Sequence, residues 1–139
     1  MLWVGVDCGA HTGLAVWDPG AKAFVSVDTV AVHRALFAVR ELALGDEVTV
    51  VVEDARRRRW IPDTHDIRRE MGRRQGAGAV KRDAKIWEDF LADLKVAALF
   101  IPPAKGATKW TADYFKKVTG WQGRTTEHSR DAAMLVFGR

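Results

Sequence analysis

Apolar positions recur along the chain with two different periods, and the switches between them mark out its elements. Leu2-Trp3-Val4-Gly5-Val6 is an apolar run of strand length that ends on an acid, Asp7. Cys8-Gly9-Ala10-His11-Thr12-Gly13 reads as a turn, and Leu14-Ala15-Val16-Trp17-Asp18 as a returning strand. After the turn Asp18-Pro19-Gly20, residues 23–30 (AFVSVDTV) alternate apolar and polar, as a half-buried strand does. The period then lengthens. Val32, Leu36, Val39 and the Leu42-Ala43 pair stand at helical spacing over residues 32–44, and Gly45-Asp46 ends that helix. Residues 47–53 (EVTVVVE) are too few for a helix and too continuously apolar for an edge strand. They predict a central, parallel strand fed by the preceding helix, and this strand also ends on an acid, Glu53.

Residues 54–75 lack a clean period and are broken by Pro62, which predicts a loop with one or two irregular helical turns. Gly76-Ala77-Gly78 precedes a helix over 79–95, in which Val80, Ala84, Trp87, Leu91 and Leu94 recur at spacings of three and four. Such a stripe reads as core, with a second apolar edge that could meet a partner helix. Residues 96–101 (VAALFI) form a short strand stopped by Pro102-Pro103. A short helix follows over 108–117, broken by Val118-Thr119-Gly120, and a last helix over 126–137 takes Thr125 or Thr126 as its N-cap. Three antiparallel strands and two parallel ones, interleaved with helices, predict an α/β domain with a mixed five-stranded sheet. Ligands of such sheets bind at the carboxyl ends of the central strands.

Composition bounds this picture. The 139 residues suit a single domain spanning 1–139, with roughly two-thirds of the unfolded surface buried. A lone cysteine excludes an internal disulfide and fits a reducing compartment. No apolar run approaches about 18 residues, so the expectation is a cytoplasmic protein without a membrane span. Charge changes the picture more. The net charge is +4, yet ten Lys or Arg face only Asp63, Asp66 and Glu70 between Arg56 and Arg82. That window carries +7 and the rest of the chain −3. A basic segment on a mildly acidic body, with Trp60 at its edge, suits a polyanion such as nucleic acid, although a solvated basic face is the plainer reading of any charge run.

The acids supply the candidate chemistry. Asp7 and Glu53 end strands that this topology sets side by side. In Glu127-His128-Ser129-Arg130-Asp131, His128 and Asp131 are three apart and Glu127 and Asp131 four apart, so each pair can share a helix face. Carboxylates that converge on one point repel one another unless a cation lies among them. An oxygen-rich set with one imidazole suits Mg²⁺ or Mn²⁺. Each residue also has a plainer reading: Asp7 as a turn acid, Glu53 as a partner of Arg56 or Arg58, Asp131 as an acid favoured by the helix dipole, His128 as a surface histidine.

The order strand–Asp7–x–Gly9–x–x–Thr12–Gly13–x–Ala15–Val16, strand–Glu53, then His128–x–x–Asp131–Ala132 resembles the RuvC family of Holliday-junction resolvases, most closely its small phage-type members. Gly76–Ala84, Pro102-Pro103 and Lys117-Val118-Thr119-Gly120 fall in the family's order as well. Many members carry Pro where Cys8 stands and Asp where His128 stands, though His also occurs there. The resemblance implies a ribonuclease H-like fold with three antiparallel strands followed by two parallel ones, flanked by helices, and a homodimer. It implies Asp7, Glu53, His128 and Asp131 as catalytic ligands of Mg²⁺ or Mn²⁺, two ions per site, and four-way DNA junctions cut by paired symmetric nicks. Arg56, Arg57, Arg58, Arg59, Arg68, Arg69, Arg73 and Arg74 would hold phosphates by charge. Trp60 would either stack on an unpaired base or anchor its loop. Among the lysines ahead of the last helix (Lys105, Lys109, Lys116, Lys117), Lys109 and Lys116 are assigned to DNA. The helix over 79–95 is the dimer surface that the family suggests.

Three rivals stand beside this reading. A less selective branched- or flap-DNA nuclease, or an RNase H-type hydrolase, would use the same acids and is separated only by substrate panels. Asp7-x-Gly9-x-x-x-Gly13 also resembles the phosphate-binding turn of sugar-kinase and actin-like ATPases, which need a second lobe and have no use for the arginine cluster. A non-catalytic nucleic-acid-binding module would keep the fold, but its acids would then repel the ligand.

Overall fold

A computed structural model describes residues 1–57, 67–104 and 109–139, without the side chains of 67–75 and 77. The strands β1 (Leu2–Asp7), β2 (His11–Asp18), β3 (Ala23–Ala31), β4 (Val48–Glu53) and β5 (Ala97–Ile101) form one sheet in the order β3-β2-β1-β4-β5. β1 pairs antiparallel with β2, β2 antiparallel with β3, and β4 runs parallel to both β1 and β5. Among the described residues the helices are α1 (Val32–Gly45), α2 (Ile67–Leu94), α3 (Ala112–Thr119) and α4 (Glu127–Met134), with a 3₁₀ turn at Ala55–Arg57. Among the described residues no helix is long and apolar enough to cross a membrane.

Strand alternation divides the core into two. On one face Val4, Val6, Leu14, Val16, Val48, Val50 and Val52 pack with Ala35 and Val39 of α1 and with Ala84, Trp87 and Leu91 of α2. On the other, Ala15, Trp17, Val27 and Val51 meet Phe115 of α3 and Ala132, Ala133 and Val136 in and just beyond α4. An aromatic group of Trp17, Phe24, Phe115, Trp121 and Phe137 closes that second core. β1 and β4 are covered on both sides, which is why their sequences are nearly continuous in apolar residues.

Several boundaries differ from the sequence reading. The stretch read as a turn over 8–13 is shorter, because His11, Thr12 and Gly13 already belong to β2. Thr12 is fully buried and donates its hydroxyl to the Gly9 carbonyl at 2.7 Å, so the polar residue closes the hairpin from inside. The helix expected from residue 79 begins at Ile67 and runs 28 residues through Gly76 and Gly78. Each glycine costs a helix interior only about 1 kcal/mol, and the docked stripe of Ala84, Trp87 and Leu91 outweighs that. Helix α3 starts later than the expected 108–117, because the Thr111 side chain caps the Tyr114 N–H, and it ends on Gly120 at φ 74°. Helix α4 ends at Met134 rather than 137, its last turn tightening into three-residue bonds from Leu135 to Ala132 and from Val136 to Ala133.

Candidate active site

Asp7 ends β1 with Gly13 as its register partner on β2 and Glu53 as its partner on β4. Two carboxylates therefore stand on neighbouring parallel strands, at their carboxyl ends and on the same face. Helix α4 covers that face at unusually short range. A Cβ at Gly13 would lie 2.0 Å from the His128 carbonyl oxygen, and one at Gly5 would lie 2.0 Å from that of Ala132. Only glycine leaves room for this crossing of backbone on backbone. It seats the first turn of α4 over the end of β1, and His128 Nδ1 donates to the Asp7 carboxylate at 2.9 Å.

The start of α4 is fixed from several directions. Thr126 is its N-cap and forms a reciprocal capping box with Ser129, and the Thr126 hydroxyl also bonds Thr29 of β3. Arg130 donates to the Trp110 carbonyl at 2.7 Å and to the Thr125 hydroxyl at 2.9 Å, tying the segment before α3 to the helix. Lys109 in that segment bonds Glu127 and reaches Asp131 at 3.2 Å.

The acids are thus paired within the chain: Asp7 with His128, and Glu127 and Asp131 with Lys109. Burial pushes the Asp7 carboxyl above its ordinary value. The bond and charge of His128 oppose that shift, and the nearby Asp131 adds to it. Hydrogen bonding to Lys109 lowers Glu127, and the same contact raises Lys109. Among the described residues no three His, Cys, Asp or Glu side chains are grouped closely enough, as placed, to hold one metal ion. The donor chemistry nonetheless suits a hard divalent ion: carboxylates at two adjacent strand ends, a third one helical turn beyond His128, and an imidazole.

The residues assigned to DNA separate into groups. Arg56 is engaged inside the protein, with bonds of 2.8–3.1 Å to the buried Asp54 and 3.0 Å to Glu88 of α2. It clamps the end of β4 to α2. Arg57 is exposed and 3.6 Å from Asp54. Arg58, Arg59 and Trp60 lie outside the described residues, as does Lys105. Arg68, Arg69, Arg73 and Arg74 fall on the first half of α2, and their side chains also lie outside the description. Lys109 sits among the acids of α4, and Lys116 is exposed in the last turn of α3. Cys8, next to Asp7, is buried, and burial pushes its thiol up to about 12, so it is an inert core residue.

Sequence reasoning passed over Gly5 and Gly13 as the seat of α4, Lys109 as the counter-ion of α4, and Arg130 and Asp54 as clamps. The two glycines had a legible signal: they fall on the same strand face as Asp7, and both meet Ala132, a small residue of α4.

Sheet order, strand directions and helix placement define the ribonuclease H-like fold. Among solved structures, the chain is similar to RuvC from T. thermophilus in complex with Holliday junction substrate. The TM-score is 0.52 and the identity 17%, with 99% of this chain and 91% of that one covered. At that identity the likeness is one of fold. No protein-family model matches the chain, and no curated protein matches it in sequence.

Proposed function

We propose that this chain is a metal-dependent endonuclease that cuts branched DNA and resolves four-way junctions by paired nicks. The observation that carries the reading is the glycine-seated crossing of α4. It sets His128 against Asp7, one of two carboxylates that end adjacent parallel strands, with Asp131 one helical turn further along α4, in a fold shared with a protein solved on a Holliday junction. Asp7, Glu53, His128 and Asp131 would hold Mg²⁺ or Mn²⁺, two ions per site. Such ions, when bound, lower the pKa of water and neutralise charge developing on a phosphodiester. The chain's own contribution is position. The Asp7–His128 bond orients the imidazole, whose Nε2 would then serve a metal ion or a water. Lys109 has an exposed side chain beside Asp131 and can pass its ammonium to a DNA phosphate. Arg57, with the arginines at 58–59 and along the first half of α2, supplies a sequence-independent hold on the backbone.

Symmetric nicks need two symmetric sites, which a twofold homodimer provides, and the reading includes one, as in small phage-type resolvases of the cytoplasm. The second half of α2, where Ile86 is exposed, is the surface assigned to it.

The test is cleavage of a synthetic four-way junction against matched linear duplex, with Mg²⁺, Mn²⁺ or EDTA, for the wild type and Asp7→Asn. Paired nicks near the crossover, absent in EDTA and reduced at least 100-fold in Asp7→Asn while junction binding persists, are the expected result. Equal cutting of linear, flap or hybrid substrates would leave a nuclease without junction selectivity. Binding without cutting would make the chain a non-catalytic module.

A further inference from the structure

Trp110, ahead of α3 and partly buried against the second core, pairs with Tyr114 of α3, with ring centroids 4.8 Å apart and planes inclined at 57°. Helix α3 buries only Phe115, while Tyr114 is 52% exposed and Val118, one turn on, is 40% exposed. A tilted pair does not cover ring face with ring face, so aromatic surface is presented outward. The pair is held firmly beside the candidate site. The Trp110 carbonyl accepts from Arg130 of α4, and the preceding residue, Lys109, bonds Glu127 and Asp131 of the same helix. Lys116 and Lys117 are exposed on α3 against Asp113, while Lys109 is engaged by Glu127 and Asp131.

We infer that Trp110 and Tyr114 form a stacking platform for unpaired nucleobases, set beside the acidic site and flanked by lysines that take the phosphates. The inference rests on the nucleic-acid reading above and deepens it by naming the feature recognised, a single-stranded or splayed nucleotide next to the scissile position. An aromatic surface with the ammonium groups of Lys116 and Lys117 on the same helix suits a ligand that is planar and anionic at once, and a nucleotide is both. A protein partner would need a broader apolar patch than one aromatic pair and Val118 offer.

The experiment uses the full chain in EDTA, so that no strand is cut. Ligands are a four-way junction and a linear duplex, each with and without a two-nucleotide unpaired bulge carrying 2-aminopurine. Wild type, Tyr114→Phe, Tyr114→Ala and Tyr114→Leu are compared, the last retaining apolar bulk and helix propensity without a π face. The expected result is quenching of bulge 2-aminopurine by wild type and Tyr114→Phe but not by Tyr114→Ala or Tyr114→Leu. Affinity for bulged ligands should fall about tenfold in those two variants, and affinity for plain duplex should stay unchanged. Unaltered quenching and affinity in both variants would overturn the platform while the nucleic-acid reading stood. A change of oligomeric state with nucleic-acid affinity unmoved would also overturn it, making the face a protein contact. Absence of nucleic-acid binding by the wild type would remove the underlying reading and the platform with it.

Discussion

On the face covered by α1 and α2, valine side chains from β1 and β4 meet Trp87 and Leu91, and the spacing between layers is set by side-chain volume. On the face covered by α4, the strand backbone meets the helix backbone at Gly5 and Gly13, and nothing but hydrogen atoms separates them. The first arrangement is forgiving, since aliphatic layers relax around lost or added methylenes at graded cost. The second has no slack. It places His128 over Asp7 to within a hydrogen-bond length because no flexible side chain intervenes. The proposed site lies on the face where position is fixed by contact of main chains, and the bulk of the aliphatic core lies on the other.

The contrast is broken most severely at Gly13. Gly13→Ala puts a methyl 2.0 Å from the His128 carbonyl oxygen, so α4 must lift. We expect a loss of about 3 kcal/mol in urea unfolding and at least a 100-fold loss of cleavage, far beyond what the volume of one methyl suggests. Wild-type activity in that variant would show that α4 need not touch the sheet. Leu91→Ala tests the other face. It should cost about 3 kcal/mol, as buried leucine truncations do, while cleavage per folded molecule stays within twofold of wild type. A collapse of activity there would erase the distinction between the faces.

The smallest effect concerns the seam between β4 and α2, where Arg56 holds both Asp54 and Glu88 below the ordinary carboxylate range. A carboxylate depressed in the folded state adds stability that is fully present above its unfolded value, near pH 4, and lost as pH falls through the folded value. Arg56→Met should therefore be less stable than wild type at neutral pH, with the gap closing as the solution is acidified below about pH 4. Parallel stability curves across that range would remove Arg56 as the clamp.

What could be read from the residues follows from what kind of signal each element leaves. β1 and β4 were legible because unbroken valine-rich runs have few alternatives, and Asp7 and Glu53 stood out as acids closing such runs. The start of β2 was hidden because Gly13 looks like a turn residue when its purpose, admitting α4, depends on a segment over a hundred residues away. The first half of α2 was hidden for a related reason: its glycines weaken helix propensity, and the packing that overrides them lies further along. Lys109 and Arg130 find partners 18–22 residues away in sequence, through long side chains that leave no periodic trace. Arg56 was legible as a basic residue but not as a clamp, since Glu88 lies 32 positions on.

The bond between Asp7 and His128 joins residues 121 positions apart. An eight-residue helix has little stability of its own, so α4 is held by its packing on the sheet, through Ala132 and Ala133. Loss of that packing would dismantle the constellation while the pairing of the strands survived. On warming, activity that fails before the sheet melts would mark α4 as a separate unit, and failure in step with melting would mark one cooperative core.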